Sequence, residues 1–266
     1  MQLNTFLILF SLLCCSFHVA AQVQVQNLCV ENLRNPIGLD VEQPRFGWQL
    51  VSEKRNVRQT AYEIRVAATP ADLKTGKKLV WTSNKTASDA SVWVPYGGPK
   101  LASGKMYWWQ LRVWDNADNV SPWSEPAFWQ MGLLNASDWT AKWITPAFPE
   151  DSTQPSPMFR KQFYLKKEIK SATAYITAHG MYEAHMNGQR IGQDYLTPGW
   201  TAYTKRLQYQ AYDLKASLRK GDNVVGITLG NGWWRGNIGF SGQRNFYGKD
   251  LSVLFQLEIE YADGSS

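Results

Sequence analysis

The sequence is poor in the residues that staple or metallate small domains. Of 266 residues three are cysteine, and two of these, Cys14 and Cys15, lie in an apolar leader. Cys29 is then alone, which excludes an internal disulfide and a cysteine-based zinc site. Histidine is almost as scarce. Beyond the leader only His179 and His185 remain, without metalloprotease spacing. No serine sits in a nucleophile-elbow pattern. Charge of one sign is nowhere concentrated. Residues 22–134 carry 13 basic and 10 acidic side chains and residues 135–266 carry 15 and 12, so the net charge of +6 is split evenly. A nucleic-acid footprint is clustered, so no nucleic-acid partner is expected. Helical periodicity is nearly absent.

The long apolar run, Phe6–Phe17, is shorter than the ~20 residues needed to span a bilayer. It leads into Val19-Ala20-Ala21, a small-residue cleavage site. Residues 1–21 therefore read as a signal peptide cut after Ala21, although Met1–Thr5 lacks Lys and Arg. Leu13 stands where a lipoprotein signal has a small residue before its cysteine. The expected product is secreted or periplasmic, with no membrane partner after cleavage.

What the chain has in quantity is aromatic side chains: 13 Trp, 12 Tyr and 11 Phe. Such rings pack well on half-buried pleated sheets. Short runs of period two recur between turn signals, the pattern of all-β sandwiches. Tyr62, Ile64 and Val66 share one face, with Glu63 and Arg65 opposite. In Met106–Asp115, Tyr107, Trp109, Leu111 and Val113 face one way, and Trp108, Gln110, Arg112 and Trp114 the other. Pro122-Trp123-Ser124-Glu125-Pro126 precedes a strand at Ala127–Met131.

A second unit starts at Asn135, with Asp138-Trp139 and Trp143-Ile144 as its expected first strand. The proline-rich stretch Thr145–Pro157 reads as a loop. Strands are expected at Phe159–Leu165, Ala172–Ala178, Tyr182–Met186, Leu207–Tyr212, Val224–Leu229 and Leu251–Tyr261. Asn187-Gly188 is a type I′ hairpin signal, because both central residues need φ > 0. Asp213–Gly221 is the one helical hint, about two turns between a cap and a stop. In the last strand Val253, Phe255, Leu257, Ile259 and Tyr261 share a face. The turn Ala262-Asp263-Gly264 follows it, with no partner strand beyond, which leaves an open edge. The architecture expected is all-β: a signal peptide at 1–21, a sandwich over 22–134, and a jelly roll over 135–266 that is incomplete at its C-terminus.

Several motifs carry a family resemblance. Asn35-Pro36-Ile37-Gly38-Leu39-Asp40, Pro44–Trp48, Tyr107–Asp115 and Trp123–Pro126 resemble the first, fibronectin type III-like module of the bacterial α-L-rhamnosidases, which are large glycoside hydrolases. Tyr182-Glu183, Asn187-Gly188, Leu196–Trp200, Gln208-Tyr209, Tyr212-Asp213 and Gly230–Gly236 are similar to that family's N-terminal, galactose-binding-like jelly roll. The resemblance implies a missing C-terminal partner in the same polypeptide, an (α/α)₆ barrel that carries the catalytic carboxylates. It leaves no catalytic residue to place on this chain. It also implies a rhamnose-containing saccharide as ligand. Some similar modules bind L-rhamnose through calcium, so a calcium ion in the second domain is an open expectation. The available oxygen donors, Glu183, Asn187, Asp194, Asn231 and Asn237, form no EF-hand-like loop, and the metal is left unassigned.

Inverting glycoside hydrolysis needs two carboxyl groups ~6.5–9.5 Å apart. Spacing singles out no pair among Glu183, Asp194, Asp213, Asp222 and Asp250, and no cofactor is required. Sugar binding needs a flat ring beside amide or guanidinium groups. Asn231, Trp233, Trp234, Arg235 and Asn237 supply both, and Trp200 is a second platform. If Trp233-Trp234 is a strand, the two indoles face opposite ways and one at most meets a ligand. A freestanding binding module or adhesin, and a pair of inert spacers, are the alternatives.

Overall fold

A computed structural model describes residues 23–147 and 155–266. The leader and residues 148–154 of the proline-rich stretch lie outside the described residues. The fold is nearly all β. In the first half the strands are β1 (Gln24–Val30), β2 (Ile37–Leu39), β3 (Arg45–Val51), β4 (Gln59–Ala67), β5 (Leu79–Thr82), β6 (Thr86–Ala87), β7 (Val94–Pro95), β8 (Met106–Asp115) and β9 (Ala127–Met131). They form a β1-β3-β7 sheet facing a β2-β9-β8-β4-β5 sheet, with β6 added beside β4. The second half has β10 (Met158–Leu165), β11 (Ile169–His179), β12 (Met181–Met186), β13 (Gln189–Arg190), β14 (Gln210–Asp213), β15 (Gly221–Gly230) and β16 (Ser252–Tyr261). These pair as β10-β15-β12-β13 and β14-β11-β16.

Period two sets both cores. Trp109, Leu111 and Val113 of β8 are fully buried against Phe46, whose ring centroid is 4.5 Å from that of Trp109 and 5.6 Å from that of Trp129. On the opposite face of the same sheet, cations and indoles alternate. Lys85 lies over Trp114, Arg112 over both Trp114 and Trp123, and Arg65 over Trp123. Glu63 joins the two arginines, 2.7 Å from Arg112 and 3.3 Å from Arg65. The second core is aliphatic: Ile176, Met186, Leu229 and Val253 are all fully buried.

Four expectations are corrected. Asp138-Trp139 is no strand. Ala136–Asp138 is a 3₁₀ turn, because the Asp138 carboxylate accepts from the Asn135 backbone N–H at 2.8 Å and offers the chain a local alternative to a ladder. Of Trp143-Ile144 only a bridge from Ile144 to Val253 is left. The strand expected from Leu207 starts at Gln210, since Tyr209 leaves the sandwich to meet the first domain. The helix expected after Asp213 shrinks to a 3₁₀ turn, Lys215–Ser217, with the Asp213 carboxylate accepting from the Lys215 N–H at 2.9 Å. The Asn187-Gly188 turn has φ of 52° and 83°, as its type requires.

The two sandwiches meet through a narrow joint. The Tyr209 hydroxyl accepts from the Leu133 N–H at 2.9 Å, and Gln130 donates to Thr173 at 3.0 Å. Trp139, Tyr175 and Tyr209 pack ring to ring beside these bonds. Two glycines allow the approach. A Cβ on Gly132 would strike the Tyr209 hydroxyl, and one on Gly38 (φ 84°) would lie 2.7 Å from Ala211 Cβ. Gly132→Ala is expected to cost about 1–3 kcal/mol of stability by overpacking. Urea unfolding checks this, and Tyr209→Phe in the same chain should recover part of the loss.

Candidate functional site

At one end of the second sandwich two long connections come together: residues 191–209 between β13 and β14, and residues 231–251 between β15 and β16. The first is tied down by Thr197, whose backbone accepts from the Tyr182 N–H at 2.9 Å and whose hydroxyl donates to the Tyr182 carbonyl at 2.8 Å. The second begins with a short helix, α1 (Gly232–Arg235), entered through Gly232 at φ 50°. A Cβ there would press on Met181, so the backbone needs the space as well as the dihedral. The expected strand at Trp233-Trp234 is thus a helical turn. Its indoles diverge by roughly 100° about the helix axis and do not oppose each other across a sheet.

That divergence gives the two tryptophans different surroundings. Trp233 stacks on Trp200, with centroids 5.7 Å apart and planes 9° from parallel. Trp200 remains half exposed, and its Nε1 approaches the Tyr247 hydroxyl at 3.4 Å. Trp234 turns the other way and lies on His179 at 4.1 Å. Trp143 covers the opposite face of that imidazole at 4.2 Å, which makes an indole–imidazole–indole stack. The Trp234 Nε1 donates to the Asp250 carbonyl at 3.1 Å. Trp234 locks the loop, and Trp200 with Trp233 forms the open platform.

The polar candidates divide in the same way. Arg235 is buried, and its Nε donates to the Asn231 side chain at 2.6 Å and its Nη1 to the Lys249 carbonyl at 3.3 Å. Asn231 and Arg235 therefore hold the loop from inside. Asn237 is exposed on the same connection. Sequence reasoning missed Tyr203 and Tyr247, which meet edge to face at 4.8 Å, with both rings also near Trp234. It also missed the exposed rings of Phe240 and Phe246. These residues lie in a stretch without periodicity, so no pattern marks them.

The possible oxygen ligands are dispersed. Glu183 pairs with Arg190 at 3.4 Å, and Asp194 accepts from the Tyr212 hydroxyl at 3.2 Å. Asn187 is engaged by the neighbouring turn and β15, donating to Ser217 and Asn223 and accepting from the Val224 N–H. Asn231 faces Arg235. Among the described residues no three His, Cys, Asp or Glu side chains gather as a metal site. Asp213 accepts from the Lys215 N–H at 2.9 Å, and Asp222 accepts from Gln162 at 3.2 Å.

The two halves are an immunoglobulin-type sandwich and a jelly roll, the latter carrying an aromatic platform at one end. The comparisons give the chain's family. Residues 25–135 match the family described as Rha78A-like, N-terminal immunoglobulin domain, and residues 167–266 match the alpha-L-rhamnosidase N-terminal domain. The chain belongs with the N-terminal domains of the α-L-rhamnosidases. An alpha-L-rhamnosidase of Alteromonas sp. (strain LOR) is 36% identical over 97% of this chain and 29% of its own length. The solved alpha-L-rhamnosidase of Dictyoglumus thermophilum superposes with a TM-score of 0.82 at 33% identity, over 91% of this chain and 28% of that one. The Streptomyces avermitilis alpha-L-rhamnosidase complexed with L-rhamnose superposes with a TM-score of 0.78 at 27% identity, over 91% and 40%. The chain thus spans under a third of the length of the first relatives it matches.

The half-buried His179 imidazole in this stack also makes a pH prediction. Burial holds the His179 imidazole below its ordinary pKa. The unfolded chain then binds a proton near pH 6.5 that the fold resists, so stability falls as pH drops through that value and levels off below the folded pKa. Chemical unfolding at pH 7 and pH 5 should show the loss, and His179→Phe, which keeps a ring in the stack, should reduce it.

Proposed function

We propose that the chain is the non-catalytic N-terminal region of a secreted α-L-rhamnosidase-like glycoside hydrolase that acts on rhamnose-containing glycans or glycosides, and that its jelly roll contacts the saccharide. The observation that carries the second part is the Trp200–Trp233 pair, a flat stacked surface left half open to solvent. Rhamnose is a deoxy sugar with a methyl group and an apolar C–H face. Such a face lies favourably on an indole, while hydroxyls at its rim need donors and acceptors. The Tyr247 hydroxyl at the edge of Trp200 and the exposed Asn237 provide them. Support for a non-catalytic role comes from the described acids that the sequence offered: Glu183 pairs with Arg190, and Asp194, Asp213 and Asp222 accept local hydrogen bonds. The rhamnose complex of the Streptomyces relative makes L-rhamnose the first ligand to try.

Calorimetry with L-rhamnose, with and without calcium, tests the reading. Binding is expected. Trp200→Ala should weaken it by about 1–2 kcal/mol, or roughly five- to thirtyfold, whereas Trp234→Ala should lower stability more than affinity. No heat from a folded chain in either condition contradicts sugar contact. Release of rhamnose from an aryl rhamnoside at enzymatic rates contradicts the non-catalytic assignment.

A further inference from the structure

Asparagine followed by glycine readily loses its side-chain amide, because glycine has no Cβ to shield its backbone nitrogen. That nitrogen attacks the asparagine Cγ, the Cγ–Nδ2 bond breaks, and ammonia leaves. Water then opens the succinimide ring to aspartate or isoaspartate, with no oxidation or reduction. The chain has two such pairs, Asn187-Gly188 and Asn231-Gly232. The fold surrounds them differently.

Asn187 is clasped. Its Nδ2 donates to the Ser217 carbonyl at 2.8 Å and to Asn223 Oδ1 at 2.9 Å, and its Oδ1 accepts from the Val224 N–H at 2.9 Å. Its backbone N–H donates to the Val224 carbonyl at 2.8 Å. Asn223 is fully buried and is fixed in turn. Its Oδ1 also accepts from the Arg219 N–H at 3.1 Å, and its Nδ2 donates to the Arg219 and Gly221 carbonyls at 2.7 and 3.0 Å. Turning the Asn187 Cγ toward the Gly188 nitrogen breaks these side-chain bonds and strands their partners, which is costly where they are buried.

Asn231 is held at one atom. Its Oδ1 accepts from Arg235 Nε at 2.6 Å. Its Nδ2, the leaving group, donates to nothing among the described residues. The guanidinium draws electron density from the carbonyl and faces the oxygen that turns negative on attack. The Gly232 N–H opens α1, where the helix supplies it no partner. Ring closure also needs ψ of Asn231 to leave −42°. The short helix opposes that with two backbone bonds, Arg235 to Asn231 at 3.3 Å and Gly236 to Gly232 at 3.1 Å.

We propose that Asn231 is a deamidation site of the folded protein and that the Asn187–Asn223 clasp exempts Asn187. Conversion sets a carboxylate against the buried Arg235. The isoaspartyl form also adds a methylene to the backbone ahead of Gly232, which moves Trp233 relative to Trp200. The loop that carries the platform thus holds a slow, irreversible chemical change. The inference rests on amide geometry and is independent of the sugar reading.

The test incubates the folded chain, and the chain in denaturing urea, at mildly alkaline pH. Digestion and mass spectrometry then follow the change from amide to acid at each pair. The unfolded chain is expected to convert both pairs at similar rates. In the folded chain Asn231 should convert about tenfold faster than Asn187, because Asn187 reacts only through local opening. Asn223→Ala should raise conversion at Asn187 by about tenfold, with Asn231 in the same digest unchanged. The comparison within the unaltered chain stands whether or not that variant folds. Equal rates at the two pairs in the folded chain overturn the proposal, as does faster conversion at Asn187. An Asn231 that stays intact in the folded chain while the unfolded chain converts also overturns it.

Discussion

The Tyr209 hydroxyl reaches out of the jelly roll to the Leu133 N–H, the centre of the joint between the two sandwiches. Gly132 and Gly38 let the backbone of the first sandwich come within van der Waals range of Tyr209 and Ala211. Gln130 and Thr173 close the joint on its other side, and the rings of Trp139 and Tyr175 exclude water between them. Hydrogen bonds flanked by glycines and aromatic rings, one of them, Gln130 to Thr173, fully buried, are intolerant of displacement, since a shifted partner leaves a polar group without a bond. The loops that carry the aromatic platform are therefore held on a two-domain body.

The strands were legible because half-buried sheets write their burial into the sequence with a period of two. Tyr107, Trp109, Leu111 and Val113 are core residues, as their alternation requires. The errors fall where local hydrogen bonding or tertiary contact outranks that period. Asn135 and Asp138 bond to each other, and Tyr209 leaves its strand for the joint. The helix at Pro70–Thr75 was written in residues that strand reasoning passed over. Thr69 accepts from the Asp72 N–H at 3.1 Å, proline starts the helix, and Gly76 ends it at φ 67°.

The site was half legible. Residue chemistry picked out Trp200 and Trp233, which do stack, but it could not divide adjacent residues between open surface and interior. That division depends on the helical turn at Gly232, which sends Trp234 onto His179 and Arg235 onto Asn231. The Tyr247 hydroxyl meets the edge of Trp200, a contact across 47 residues that no local pattern encodes.

If the joint makes the two sandwiches one body, they should open together. Native-state hydrogen exchange at increasing denaturant measures this directly, with the slowest amides of Leu111 and Ile176 as reporters of the two cores. The account predicts that both converge on the same opening free energy with the same denaturant slope. Separate limits, with Ile176 exchanging through an opening that leaves Leu111 protected, would contradict it.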